Sequence, residues 1–173
     1  GSLDATGGFG GAGIGGANIK NSGALEITGG TITATGKQDG AGIGGGLYGK
    51  GEVTISGGDV TAHGGHTAAG IGGGFRGSGD VTILGGTVTA IPAEGSNSNV
   101  TGIGGGFAGN AKNIIIRGHS KVKATARDGA AIGGGSAGWD GYYGGSAKGI
   151  VICDHATVAA RSDTGDGAAI GAA

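Results

Sequence analysis

The segment Gly40-Ala41-Gly42-Ile43-Gly44-Gly45-Gly46 recurs with small variations along the chain, and a recurrence at this spacing limits the fold more than any other feature. The motif isoleucines are Ile14, Ile43, Ile71, Ile103, Ile132 and Ile170, separated by 29, 28, 32, 29 and 38 residues. Upstream of five of them stand Leu25, Val53, Val81, Ile114 and Ile150, followed two residues later by Ile27, Ile55, Ile83, Ile116 and Ile152. That is strand alternation with one inward face. A third run carries Ile32, Val60, Val88, Val122 and Val158, with Ala34, Ala62, Ala90, Ala124 and Ala160 two residues on. Each repeat therefore holds three short strands.

A period near 30 also suits pairs of helices, but the local chemistry opposes them. Glu52-Val53-Thr54-Ile55 and Thr87-Val88-Thr89 are β-branched with period 2, and Gly-Gly pairs at 29–30, 57–58 and 85–86 would interrupt a helix. The expected fold is all-β: a single-stranded, right-handed parallel β-helix with three short strands per coil and five to six coils. Equivalent residues then stack at about 4.8 Å, giving a rod on the order of 25 Å long. One β-solenoid domain spans residues 1–173.

The 50 glycines with a single proline exclude collagen, and the fixed offsets of Val and Ile from the glycines exclude a flexible linker. The Gly-Gly pairs serve a sharp corner. The Ile-Gly-Gly-Gly run has two readings: a thin wall needed by a narrow core, or a flat exposed backbone surface that accepts a ligand. After that run Leu47, Phe75 and Phe107 occupy matching positions, with Ala17 and Ser136 at the ends, and read as a stack sealing a corner. Thr33, Thr61 and Thr89 align in a ladder of the kind found in ice binding. Lys123 and Ala159 interrupt it, and Asp59 and Lys121 interrupt the adjacent column, so it reads as ordinary strand surface.

Eleven basic and twelve acidic residues give a net charge of -1, which disfavours nucleic acid as a partner. No apolar run is long enough to insert in a membrane, and Cys153 is the only cysteine, so neither an internal disulfide nor a thiolate zinc cluster can form. Gly1-Ser2 reads as a cloning remnant, and the segment is expected to be a fragment of a larger protein.

Chemistry is expected where loops of successive coils stack into one stripe. The corner between the Val/Ala strand and the glycine run is the polar one. It carries Lys37, Gln38 and Asp39, then His63 and His66, then Glu94, Asn97 and Asn99, then Arg127 and Asp128, and then Arg161, Asp163 and Asp166. Asp39, Thr67, Asn99, Asp128 and Asp166 recur four residues before the motif isoleucine; short polar side chains there bond turn backbone or line up as a ligand stripe. The longest insertion holds Trp139, Asp140, Tyr142 and Tyr143, whose rings can stack on sugar faces or fold over the rod as cover.

Asp163 and Asp166 are the candidate calcium ligands, since neither the nonapeptide calcium repeat nor an EF-hand loop is present. His63 and His66 lack a third zinc ligand nearby. Asp128, Arg127 and Arg161 form the one acid-base group that can be drawn, without motif spacing, and no nucleophile, phosphate-loop or HExxH motif occurs. No catalytic residue is therefore assigned, and no cofactor beyond calcium.

The stretch from Gly51 to Ala62 followed by Ala69-Gly70-Ile71-Gly72-Gly73-Gly74 resembles the Gly-rich repeats of secreted Gram-positive bacterial surface proteins. Those repeats are similar to parallel β-helix carbohydrate-binding domains, some of which bind acidic polysaccharides and calcium. The resemblance covers nearly the whole chain, rests on repeat texture, and transfers no binding residue. It implies a non-catalytic module, secreted or at the cell surface, whose partner is a glycan or polysaccharide. A structural rod or adhesin spacer is the main competitor and a polysaccharide lyase or hydrolase the second. Exposed strand edges at the two ends make end-to-end self-association a further expectation.

Overall fold

A computed structural model describes residues 1–93, 100–137, 143–163 and 167–172. Three parallel walls form one coil after another, and each wall is a six-stranded sheet. The first wall is built from Ser2–Phe9, Thr31–Lys37, Asp59–His63, Thr87–Ile91, Lys121–Ala126 and Thr157–Ser162. The second, glycine wall is built from the Ile-Gly pairs Ile14–Gly15, Ile43–Gly44, Ile71–Gly72, Ile103–Gly104, Ile132–Gly133 and Ile170–Gly171. Ala24–Ile27, Gly51–Ile55, Gly79–Ile83 and Ala111–Ile116 make the third, whose last rung comes in two pieces, Ala147–Lys148 and Val151–Ile152.

The register places like beside like. Val60 pairs with Ile32 and Val88, Ala62 with Ala34 and Ala90, Ile71 with Ile43 and Ile103, and Ile55 with Ile27 and Ile83. Period-2 alternation turns one face of each long strand inward, so these columns fill a single core in which Ile43, Ile71, Ile103 and Ile132 have no solvent exposure. The first rung was not part of the expected pattern. Leu3 and Ala5 stand beside Ile32 and Ala34, and Ser2 pairs with Thr31, so the opening residues continue the first wall.

The glycine wall settles the choice between the two readings of its run. Residues 44–46, 72–74, 104–106 and 133–135 are buried, and their amides are engaged between rungs: Gly45 N–H donates to Gly72 O (2.9 Å), Gly73 to Gly104 (2.8 Å) and Gly105 to Gly133 (3.0 Å). The exposed-surface reading is overturned, because both backbone valences and the space around them are already used. Gly72 shows why no other residue serves: its φ is 130°, and a Cβ built on it would stand 2.1 Å from the carbonyl oxygen of Gly104.

Two corners flank this wall and lean on one another. Phe75 N–H donates to Asp39 O (2.9 Å) and Phe107 N–H to Thr67 O (2.8 Å), tying the aromatic corner of one rung to the polar corner of the rung before. The expected aromatic stack is present: Phe75 and Phe107 lie 5.4 Å apart with rings 12° from parallel, and Tyr48 meets Phe75 edge-on at 5.6 Å. In the first coil, however, the residue in register with Leu47 is Asn18. Ala17 matches Gly46, since Ala17 O accepts from Lys20 N–H as Gly46 O accepts from Gly49 N–H.

Between the third and first walls, Gly29-Gly30, Gly57-Gly58 and Gly85-Gly86 make the corner in three coils. The next two coils carry one residue more, Gly118-His119-Ser120 and Asp154-His155-Ala156, and the extra length stacks His119 on His155 with centroids 4.9 Å apart and planes 3° from parallel. That separation is the rung spacing.

The close packing at Gly72 predicts that Gly72→Ala abolishes folding or costs several kcal/mol, since backbone must shift on two rungs. Gly29→Ala is the control. A Cβ there meets nothing within 4 Å, so thermal unfolding followed by circular dichroism is expected to move by less than about 1 kcal/mol.

Candidate functional site

A groove of about 770 Å3 runs across the polar corner of the first rungs. It is lined by Phe9, Thr35, Lys37, Gln38, His63 and His66, with Gly8, Gly36, Gly64 and Ala93 completing it. The first wall explains the convergence. Phe9 is in register with Lys37, and Thr35 with His63, which in turn pairs with Ile91, so strand ends from four rungs reach the same edge. His63 and Lys37 stand at the ends of their strands, while Gln38 adopts a left-handed φ of 50° as the chain turns toward the glycine wall.

The chemistry of this lining is mixed in a useful way. Phe9 is 72% exposed, an aromatic face offered to solvent, whereas Lys37, Gln38, His63 and His66 supply hydrogen-bond donors and acceptors around it. Among the described residues no carboxylate lines the groove. An exposed ring face with polar groups at its edge can stack on a flat ligand face and hydrogen-bond around it.

The structure brings together only part of the expected polar stripe. His63 and His66 both enter the groove. Asp39 does not. It is half-buried, its carboxylate accepts a 2.6 Å hydrogen bond from Thr67 Oγ1, and its carbonyl accepts from Phe75, so it holds two rungs together. Arg127 is exposed and Asp128 half-buried on a later rung, where the hydroxyl of Ser162 donates to the carbonyls of Arg127 (2.9 Å) and Gly129 (3.2 Å). Arg161 pairs with Asp163, which places a guanidinium against one expected calcium ligand. Asp166, Glu94, Asn97 and Asn99 lie outside the described residues, and among those residues no three His, Cys, Asp or Glu side chains gather as a metal site.

Trp139, Asp140 and Tyr142 also lie outside the described residues, but the base of their insertion is well placed. Gly145 N–H donates to Gly135 O at 2.7 Å, and Ser136 O accepts from Ala108 N–H. A Cβ on Gly145 would meet the carbonyl of Gly109, as one on Gly109 would meet that of Gly77. The insertion therefore replaces the two-residue aromatic corner occupied by Phe107-Ala108 one rung earlier. Tyr143, at its far side, is 93% exposed.

Phe9 was missed by sequence reasoning, although a signal exists. Leu3 and Ala5 repeat the spacing of Ile32 and Ala34 and so predict a first rung, but the register slips by one residue between Thr6 and Phe9, which hides the match of Phe9 to Lys37. A second unforeseen cluster lies where the third wall begins. Lys50 Nζ stands 3.3 Å from Glu52 and 3.5 Å from Asp80, and Asn113 reaches Asp80 at 3.4 Å, so side chains of three rungs are linked. Burial pulls the Lys50 pKa down, but the bond to Glu52 and the charges of Asp80 and Glu52 outweigh it and hold the ammonium above its usual 10.5.

With this geometry in place, comparison with known proteins gives one result. The β-helix repeat family model matches residues 25–47, 53–75 and 114–136. Each match starts on the first inward residue of the third wall, Leu25, Val53 or Ile114, and ends one residue past the glycine run, at Leu47, Phe75 or Ser136, so the matched unit is the coil itself. These matches agree with the three-walled coil, and the fold is a parallel β-helix carrying β-helix repeats. No curated protein and no solved structure matches it significantly.

The Lys50 cluster carries a pH prediction. Because the folded pKa is raised, its contribution is present below the ordinary value of 10.5 and is lost as pH rises through the folded value. Lys50 is partly solvated, so the amount is below about 1 kcal/mol. Urea unfolding is expected to show Lys50→Gln less stable than wild type at neutral pH, with the gap closing in strongly alkaline buffer.

Proposed function

We propose that this β-helix is a non-catalytic glycan-binding module of a secreted or cell-surface protein, and that sugar is bound in the groove at the polar corner. The observation that carries the reading is the exposed ring of Phe9 set among Lys37, Gln38, His63 and His66 on strand ends of consecutive rungs. An open groove along stacked rungs accepts a chain and needs no terminus. The rungs are locked by inter-coil backbone bonds, so the lining is pre-organised and little ordering entropy opposes binding. Asp39, next to Gln38, ties its rung to the following one through Thr67 and Phe75.

The aromatic insertion is a second contact point under the same reading. Its base extends the Tyr48–Phe75–Phe107 column toward later rungs, on the corner next to the polar one. In the reading of a passive rod, by contrast, a largely exposed phenylalanine among polar side chains has no role.

Glycan-array binding of the wild type beside Phe9→Ala, His66→Ala and a Trp139→Ala, Tyr142→Ala double variant tests this. Phe9→Ala is expected to lower affinity about tenfold or more, the size of a lost stacking contact with its desolvated neighbours. Absence of binding to any glycan would sink the module reading. Unchanged binding by Phe9→Ala with loss in the double variant would move the site to the insertion, and release of shortened chains from a bound polysaccharide would establish an enzyme.

A further inference from the structure

The outward face of the third wall changes sign along the rod. Its rungs are Ala24–Ile27, Gly51–Ile55, Gly79–Ile83 and Ala111–Ile116, closing with the paired pieces Ala147–Lys148 and Val151–Ile152. One outward column runs Ala24, Glu52, Asp80, Lys112 and Lys148, and the next runs Glu26, Thr54, Thr82, Ile115 and Val151. Where the strands end, Ser56, Leu84, Arg117 and Cys153 each donate an amide to the preceding rung and form a third column. Every carboxylate in these columns stands on the first three rungs, and every cation on the last two. Lys50, at the entry to the second rung, bridges Glu52 and Asp80, so three carboxylates there meet one ammonium.

The cationic half is unpaired and partly apolar. Among the described residues Lys112, Arg117 and Lys148 form no ion pair, and all three are exposed. Neither 111–117 nor 147–153 contains an Asp or Glu. Ile115 and Val151 take outward positions that Thr54 and Thr82 fill on earlier rungs, and Val151 is 48% exposed. Branched apolar side chains on the solvent side of a strand, set between exposed cations, are a mark of a contact surface.

We infer that a second copy of this chain docks on the third wall, face to face and with its rod reversed. A two-fold axis parallel to the strands, between the third and fourth rungs, makes the face complementary to itself. Asp80 then lies opposite the partner's Lys112 and Glu52 opposite the partner's Lys148, while Thr82 and Thr54 meet the partner's Ile115 and the partner's Val151. A two-fold axis along the rod would instead set each rung on its own copy, like charge on like, and is disfavoured. The face measures roughly 24 Å by 17 Å, about 400 Å2 per copy, which is half of a standard interface and gives a weak dimer with Kd on the order of 100 μM. The polar corner joins the other two walls, so the Phe9 groove stays open on both copies. Under the glycan-binding reading the pair is bivalent and gains avidity on a long chain.

Sedimentation equilibrium over a range of protein concentration tests the inference. Wild type is expected to form dimers and nothing larger, and to dissociate several-fold more readily when salt is raised from about 50 mM to about 500 mM. The Lys112→Glu, Lys148→Glu variant and the Glu52→Lys, Asp80→Lys variant should each lose at least about tenfold in self-association while keeping the wild-type circular dichroism spectrum. Lysine is sterically admissible in the second variant because the same column carries it on the next rungs. Mixed together, the two variants should associate, since every opposed pair is again of opposite charge. A wild type that stays monomeric at about 1 mM in low salt, dimers indifferent to salt, chains of copies longer than two, or charge-swapped variants that ignore one another when mixed would each overturn the proposal.

Discussion

The backbone hydrogen bonds between successive Ile-Gly pairs are the constraint on which the remaining structure depends. The amides of Ile43, Ile71 and Ile103 and of Gly45, Gly73 and Gly105 donate to carbonyls of the next rung, and this places neighbouring glycine backbones so close that a side chain cannot be admitted. A wall that thin lets the inward isoleucines of the glycine wall meet the Val/Ala and Ile columns of the other two. The core is consequently narrow, filled by one medium-sized residue per position per rung, and needs few large side chains. Glycine's entropic cost is offset by ordering that repeats: once one rung is set, the next docks on a template.

Rigidity of this kind turns sequence distance into spatial proximity. Phe9, Lys37 and His63 come from three coils and meet because the first wall keeps its register. The same register stacks His119 on His155 where two consecutive corners carry an extra residue. Function in such a fold is written as departures from the repeat, and the repeat supplies the precision with which those departures are held.

Much of the fold was legible because its determinants are local and periodic. The isoleucine of the motif, the Leu/Ile pairs and the Val/Ala pairs each sit at constant offsets, and each forms an inward column. Legibility fell where an offset changed by one residue. Asn18 stands where Ala17 was expected, since the first corner lacks an aromatic to mark it, and the slip between Thr6 and Phe9 hid the ring that lines the groove. Of the polar stripe, His63 and His66 converge but Asp39 does not, because a carboxylate beside Thr67 one rung away finds a partner within the wall. Sequence spacing says which residues share a corner; which of them face outward depends on the turn each one takes there.

Amide hydrogen exchange tests the central claim, that the glycine wall is the hydrogen-bonded spine of the solenoid, most directly. The amides of Ile43, Gly45, Ile71, Gly73, Ile103 and Gly105 are expected to exchange only through global unfolding, with protection matching the full unfolding free energy and exceeding that of the polar corner at Gln38 and His66. Exchange of these glycine amides as fast as that of the corner residues would show a loose, solvated segment in their place and would contradict the account.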